Sequence, residues 1–146
     1  MVPALGRPAD AAEERALGGA LLMAERAYAP YSGFRVGAVI VDAAGSEYRG
    51  VNVENASYPA GLCAERAALA ALIAAGGRRP LLVAVAAASG DDCLPCGVCL
   101  QALAEFGDPT IVARVGGAPR AIPLHELLTA PFAHASGAAA EREAGR

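Results

Sequence analysis

The stretch LLVAVAA, residues 81–87, constrains this chain more than any other. Seven apolar residues in succession leave no polar face for solvent. A strand of this kind belongs inside a sheet that helices cover on both sides. The neighbouring segments supply those helices. CAERAALAALIAA (63–75) precedes it and stops at Gly76-Gly77, and CGVCLQALAEF (96–106) follows it and stops at Gly107. Glycine is the residue a helix C-terminus prefers. FRVGAVIV (34–41) and SEYRGVNV (46–53) read as a hairpin across DAAG, and TIVARV (110–115) as a further strand. Gly116-Gly117 turns the chain into a short PRAIP strand, and LHELL closes it as a short helix. Upstream, Asp10 and Glu13 have capping-box spacing. Leu17, Ala20, Leu21, Ala24 and Tyr28 then repeat at helical intervals. Pro30 is expected to end that helix, because its ring disfavours helical geometry at Ala29.

The predicted order is α-β-β-α-β-α-β-β-α. Alternation after the hairpin requires a partly parallel sheet with helices on both faces. The expected class is therefore α/β, a three-layer α/β/α arrangement around a mixed five-stranded sheet. A chain of 146 residues suits a single core. Residues 1–9 are expected to be a loose leader, 10–132 the domain and 133–146 a flexible tail.

Charge excludes one class of partner. The net charge is −3, and all twelve basic residues are scattered arginines. Nucleic-acid binders need clustered cations against phosphate, and only Arg78-Arg79 are adjacent. No apolar run reaches the roughly 18–20 residues of a membrane-spanning helix. The N-terminus has no charged start followed by an apolar stretch, so no secretory leader is expected. A cytoplasmic chain keeps its thiols reduced, and clustered thiols there bind metal or react.

The thiols are Cys63, Cys93, Cys96 and Cys99. Cys96 and Cys99 share one face in the first turn of a helix, where free N–H groups favour thiolate. The C-x2-C-x2-C run from Cys93 has the start of a ferredoxin spacing, but residues 100–103 bring no fourth cysteine. A structural zinc held by all four cysteines is the other option. Cys93 precedes the helix with Pro95 between, and reads as a spare loop thiol. Cys63 opens the preceding helix in CAER (63–66) and has the same thiolate-favouring surroundings.

CAER followed by P-C-x-x-C resembles the zinc-dependent deaminases of cytosine and adenine compounds. AYAPYSGFRVGAVI, GVNVENASYPAGLCAERAAL and PCGVCLQALAEF are similar to the small homotetrameric cytidine deaminases. The likeness covers roughly residues 10–132. It implies zinc-dependent hydrolysis of cytidine and 2′-deoxycytidine to uridine and 2′-deoxyuridine, with release of ammonia, in pyrimidine salvage. It implies one Zn2+ per subunit on Cys63, Cys96 and Cys99, with the fourth position open, as a catalytic rather than a structural site requires. Glu65 would then shuttle protons, and Arg66 would offset the charge of three thiolates. The Ala64 N–H would meet the base and Phe34 would pack on it. Asn52 and Glu54, two apart on an extended segment, would take the ribose hydroxyls. Tyr58 and Phe132 would reach across subunit boundaries of a homotetramer. His125 and His134 lie outside any H-x-E context and are expected at the surface or an interface. Leu100 stands where many relatives have arginine, which removes one compensating charge or intersubunit contact. Two other readings share these residues. One is a sister enzyme such as a blasticidin S deaminase, and the other is a non-catalytic four-cysteine zinc module.

Overall fold

The computed structural model describes residues 5–134. Its centre is the apolar strand, β4 (Pro80–Ala87). Around it, in chain order, lie β1 (Arg7–Pro8), α1 (Ala11–Ala24), β2 (Val36–Asp42), β3 (Glu47–Val51), a 3-10 turn (Tyr58–Ala60) and α2 (Ala64–Ala74). After β4 come α3 (Gly97–Ala104), β5 (Thr110–Val115), β6 (Ala118–Pro123) and α4 (Leu124–Leu127). The strands form one mixed sheet in the order β1-β6-β5-β4-β2-β3. Among the described strands only β4 and β5 pair in parallel, with Val83 opposite Ile111.

Strand β4 shows why its run is apolar throughout. Val83, Val85 and Ala87 pack on one face with Ala68 and Leu72 of α2, Leu100 and Leu103 of α3, and Leu124 of α4. Ala84 and Ala86 pack on the other face with Ala16 and Ala20 of α1. The result is the expected three-layer α/β/α fold. Two glycines of the hairpin set the helix-to-sheet distance. A Cβ on Gly37 would stand 2.1 Å from the Ala20 carbonyl oxygen, and one on Gly50 would stand 2.3 Å from that of Ala64. Both helices lie directly on the hairpin backbone, on opposite faces.

Three expectations change. Among the described residues the sheet has six strands, because Arg7–Pro8 pair antiparallel with β6. The second half of the expected loose leader is thus tied down. Arg120 donates to the carbonyls of Leu5 at 3.0 Å and Gly6 at 2.6 Å, and Arg7 grips Glu13 at 2.7 and 2.8 Å. A two-residue strand has no periodicity to read, and its partner comes from the far end of the chain. Helix α1 ends at Ala24, well before Pro30. Tyr28 leaves the helix to pair with the segment after β3: its N–H donates to Asn52 O, and its carbonyl accepts from Glu54 N–H. The same pairing ends β3 at Val51, since Val53 forms isolated bridges to Tyr28 and Leu62. Residues 135–146 of the expected tail lie outside the described residues. No described helix is long and apolar enough to cross a membrane.

Candidate metal centre

Two helix starts meet at the site. Cys63 is the N-cap of α2 and Cys96 the N-cap of α3, both in extended backbone geometry. Cys99 lies in the first turn of α3. Their sulfurs all lie within 4.8 Å of one another. Cys99 is buried, Cys63 half-buried and Cys96 exposed, so the cluster opens on one side.

The electrostatics fit a cation. Burial opposes ionisation of Cys96, but the N–H groups of Cys99 and Val98 outweigh it and hold this thiol below its usual range. Burial pushes Cys99 upward, and the negative charges of Glu65 and Cys63 push it further. Three thiolates this close repel one another. A divalent cation removes that conflict, and an all-sulfur donor set suits zinc. The Arg66 guanidinium turns into the site rather than out to solvent. Its Nη2 lies 3.9 Å from Cys63 Sγ, and its Nε is buried without a hydrogen-bond partner.

Glu65 follows from the same helix start. Among the described residues only two charged side chains are buried, Glu13 and Glu65. Glu13 is satisfied by Arg7 and by the cap of α1, which is a structural arrangement. Glu65 faces the thiols instead. It is 4% exposed, and burial raises its pKa, while its own N–H, the Cys99 side chain and the Arg66 charge pull the other way. A buried carboxyl with a raised pKa beside a metal-type cluster is equipped to carry a proton. Ala64, between Cys63 and Glu65, is fully buried, and its N–H belongs to the first helical turn, which lacks intrahelical acceptors.

The remaining predicted residues lie just before β2, in the segment after β3 and at the C-terminal end of the described residues. Asn52 accepts from Val36 N–H at 2.7 Å and donates to Phe34 O at 2.8 Å, which keeps one N–H and one lone pair of its amide for a ligand. Glu54 lines a cavity of about 390 Å³ with Tyr31, Ser32, Asn55, Tyr58 and Gly61. Phe34 is half exposed, and the Tyr58 ring, 79% exposed, meets Tyr31 edge-to-face at 6.2 Å. Phe132 is 76% exposed.

Some functional geometry is absent from the sequence reading. The Gln101 amide donates to Phe132 O and accepts from Phe132 N–H, both at 2.9 Å. Helix α3 thereby holds the main chain of an exposed aromatic ring thirty-one residues later. Only the position of Gln101, two after Cys99, hinted at a role. Cys93 is a loop thiol outside the three-sulfur cluster, as expected, and it is also buried: it is 8% exposed and belongs to the core cluster with Leu100 and Leu103. Burial pushes its pKa to about 11, and it stands outside the three-sulfur cluster, which removes the basis for a four-cysteine site. Leu100 is buried in the same core, a place that suits leucine. His125 is exposed on α4, with Nδ1 2.7 Å from Asp108 Oδ2, and neither it nor His134 belongs to the cluster.

Residues 11–115 match the family model described as the cytidine and deoxycytidylate deaminase zinc-binding region. The chain belongs to this deaminase family. The cytidine deaminase of Halalkalibacterium halodurans is 40% identical over 111 residues, which span 74% of this chain and 84% of that one. The cytidine deaminase of Mycobacterium tuberculosis is 46% identical over 90 residues, 62% of this chain and 68% of that one. The crystal structure of that Mycobacterium tuberculosis enzyme superposes with a TM-score of 0.75 at 38% identity, covering 86% of this chain and all of the other. The match to the deaminase family contains both helices that carry the thiols. Zinc is the metal of this centre, and the three sulfurs are grouped closely enough for one ion.

Proposed function

We propose that the protein deaminates cytidine and 2′-deoxycytidine hydrolytically, giving uridine or 2′-deoxyuridine and ammonia, in pyrimidine salvage. One observation carries this reading: a buried glutamate, with its pKa raised, lies in the same helical turn as one thiol of a three-sulfur cluster. Zinc held by Cys63, Cys96 and Cys99 supplies the Lewis-acid chemistry that makes water a nucleophile near neutral pH. Glu65 takes one proton from that nucleophile and delivers it to ring N3. After addition at C4, Glu65 takes the second proton and passes it to the departing amino nitrogen, so ammonia leaves and the C4 carbonyl forms. Its burial is what lets a carboxyl hold a proton between these transfers. Arg66 keeps Cys63 in place and offsets thiolate charge. The Ala64 N–H takes the base carbonyl, Phe34 packs on the ring, and Asn52 and Glu54 take the sugar hydroxyls.

Tyr58 and Phe132 hold their rings out to solvent, which fits the homotetramer that the resemblance implies, with each ring offered to a neighbouring subunit. Three reduced thiols at the centre fit a cytoplasmic location. The test is direct. Purified protein should remove the cytidine absorbance and release ammonia, and a chelator should stop both. Glu65→Gln should abolish ammonia release while zinc stays bound. Full activity in Glu65→Gln would sink the proposed role.

A further inference from the structure

The loop that delivers Cys96 to the metal centre is held by the β5–β6 hairpin. Residues 88–95 link the end of β4 to the N-cap of α3 and contain no helix or strand. Across the sheet Val115 pairs with Ala118, so Gly116 and Gly117 are the two-residue loop of that hairpin. Both have positive φ, 61° and 79°, the geometry that favours glycine in such a loop. A loop this tight turns the N–H groups of its two central residues away from the hairpin ladder, and each needs a partner elsewhere. Asp92 supplies both. Its Oδ2 accepts from Gly116 N–H at 2.5 Å and its Oδ1 from Gly117 N–H at 2.9 Å. One bond on each oxygen fixes the carboxylate in orientation as well as in place. The next residue adds a third tie, since Cys93 N–H donates to Arg114 O at 3.3 Å.

Little slack separates this anchor from the ligand. Only Cys93, Leu94 and Pro95 lie between Asp92 and Cys96. Cys93 is tied to β5 by its amide and is buried. Pro95 is also buried; its ring fixes its own φ and restricts Leu94 to extended geometry. A shift at Asp92 therefore reaches Cys96. Of the three ligands, Cys96 needs that control most. Cys99 is buried within the first turn of α3, and Cys63 has the Arg66 guanidinium beside its sulfur. Cys96 is exposed, stands before the helix and has no side-chain capping bond. Asp42 offers the same chemistry far from any ligand. Its Oδ1 accepts from Ala44 and Ser46 N–H, both at 2.9 Å, in the β2–β3 turn beside Pro80, at the start of β4 rather than past its end. We infer that Asp92 is a positioning residue for the metal centre: by gripping the β5–β6 turn it fixes the loop before α3 and keeps Cys96 on the zinc. Asp92 acts through the backbone and is not itself one of the clustered ligands. The inference rests on the three-thiol zinc centre and not on which substrate is deaminated.

The experiment follows zinc leaving the full-length, zinc-loaded protein into excess chromogenic chelator. Asp92→Ala should hold zinc about 10–100-fold less tightly than wild type and release it correspondingly faster, the scale on which groups that orient metal ligands act. Asp92→Asn keeps one acceptor oxygen and should fall between the two. Asp42→Ala is the matched control: its melting temperature should drop while zinc release stays at the wild-type rate. With cobalt in place of zinc, the thiolate-to-metal absorption should change in Asp92→Ala and not in Asp42→Ala. Turnover lost in Asp92→Ala should return on addition of zinc, because Glu65 is untouched. If Asp92→Ala does not fold, Asp92→Asn and the hydrogen-exchange protection of the Gly116 and Gly117 amides in wild type decide the matter. Wild-type zinc release in folded Asp92 variants overturns the inference. So does equal acceleration in Asp42→Ala, or unprotected glycine amides in wild type. Zinc retention that depends on Asp92 without any ammonia release upholds the clamp and removes the deaminase reading. Ammonia release with zinc retention indifferent to Asp92 does the reverse.

Discussion

Substituting Gly50 by alanine tests how the sheet positions the metal centre. The new Cβ would stand 2.3 Å from Ala64 O and 2.4 Å from Ala68 N. Those two atoms are one i to i+4 pair of the backbone ladder of α2, so no side chain can swing aside. Helix α2 must retreat by about 1 Å to restore ordinary contact, and overpacking of this kind costs roughly 1–3 kcal/mol. For a domain of this size that is a fall of roughly 3–12 °C in Tm. The helix carries Cys63 at its cap and Glu65 in its first turn. A shift of about 1 Å there should lower kcat/KM by about 100-fold and weaken zinc binding. Gly37→Ala is the matched control. Its Cβ would stand 2.1 Å from Ala20 O and 2.5 Å from Ala24 N, the equivalent pair on α1, which bears none of the cluster thiols and lies on the opposite face. Thermal melts at fixed zinc concentration, metal analysis and ammonia release per folded molecule make the comparison. Both variants should lose stability, and only Gly50→Ala should lose metal and activity. Equal loss of zinc and turnover in Gly37→Ala would refute the argument, because the damage would then run through global stability.

Three further outcomes are expected. Cys93→Ser puts a hydroxyl into an apolar core, so stability should fall by about 1–3 kcal/mol while zinc content and turnover persist; loss of the metal would restore the four-cysteine reading. Arg7 holds the Glu13 carboxyl below its ordinary value. A depressed carboxyl contributes stability above the unfolded pKa of about 4.3 and loses it as pH falls through the lower folded value. Glu13→Gln keeps the capping pattern and removes only the ion pair, so its deficit in denaturant melts should be within about 1 kcal/mol at pH 7 and shrink in acid; a deficit that grows in acid contradicts this assignment. Gln101→Leu should remove the hydrogen-exchange protection of the Phe132 amide, and unchanged protection would show that the clamp does not form in solution.

Much of the site was legible because its chemistry is local. Cys96 and Cys99 share a helical turn, and Cys63 and Glu65 share another. Capping position and three-residue spacing follow from neighbours along the chain. The roles of Gln101 and Asp92 were not legible. Each acts on a partner far away in sequence, Phe132 in one case and the Gly116–Gly117 turn in the other. A polar residue on a helix or in a loop has no pattern that names such a partner. The burial of Cys93 was not legible for a related reason: a residue before a helix has no fixed direction until a neighbouring strand, here β5 through Arg114 O, accepts its N–H.

The sequence by itself determined the layers. LLVAVAA demands cover on two faces, and the flanking helices provide it, because periodicity and burial are set by composition over short windows. It also determined that three thiols and a carboxylate stand at helix beginnings. Only the tertiary structure decided how close those beginnings come. Parallel pairing of β4 with β5 fixes the strands around which α2 and α3 pack, and Gly50 lets α2 lie on the sheet until Cys63 meets Cys96 and Cys99 within 4.8 Å. The sixth strand, the early end of α1 and the grip of Asp92 on the β5–β6 turn were likewise decided there. Each depends on hydrogen bonds between segments that no local pattern links, and such bonds form only once the rest of the chain has brought their partners together.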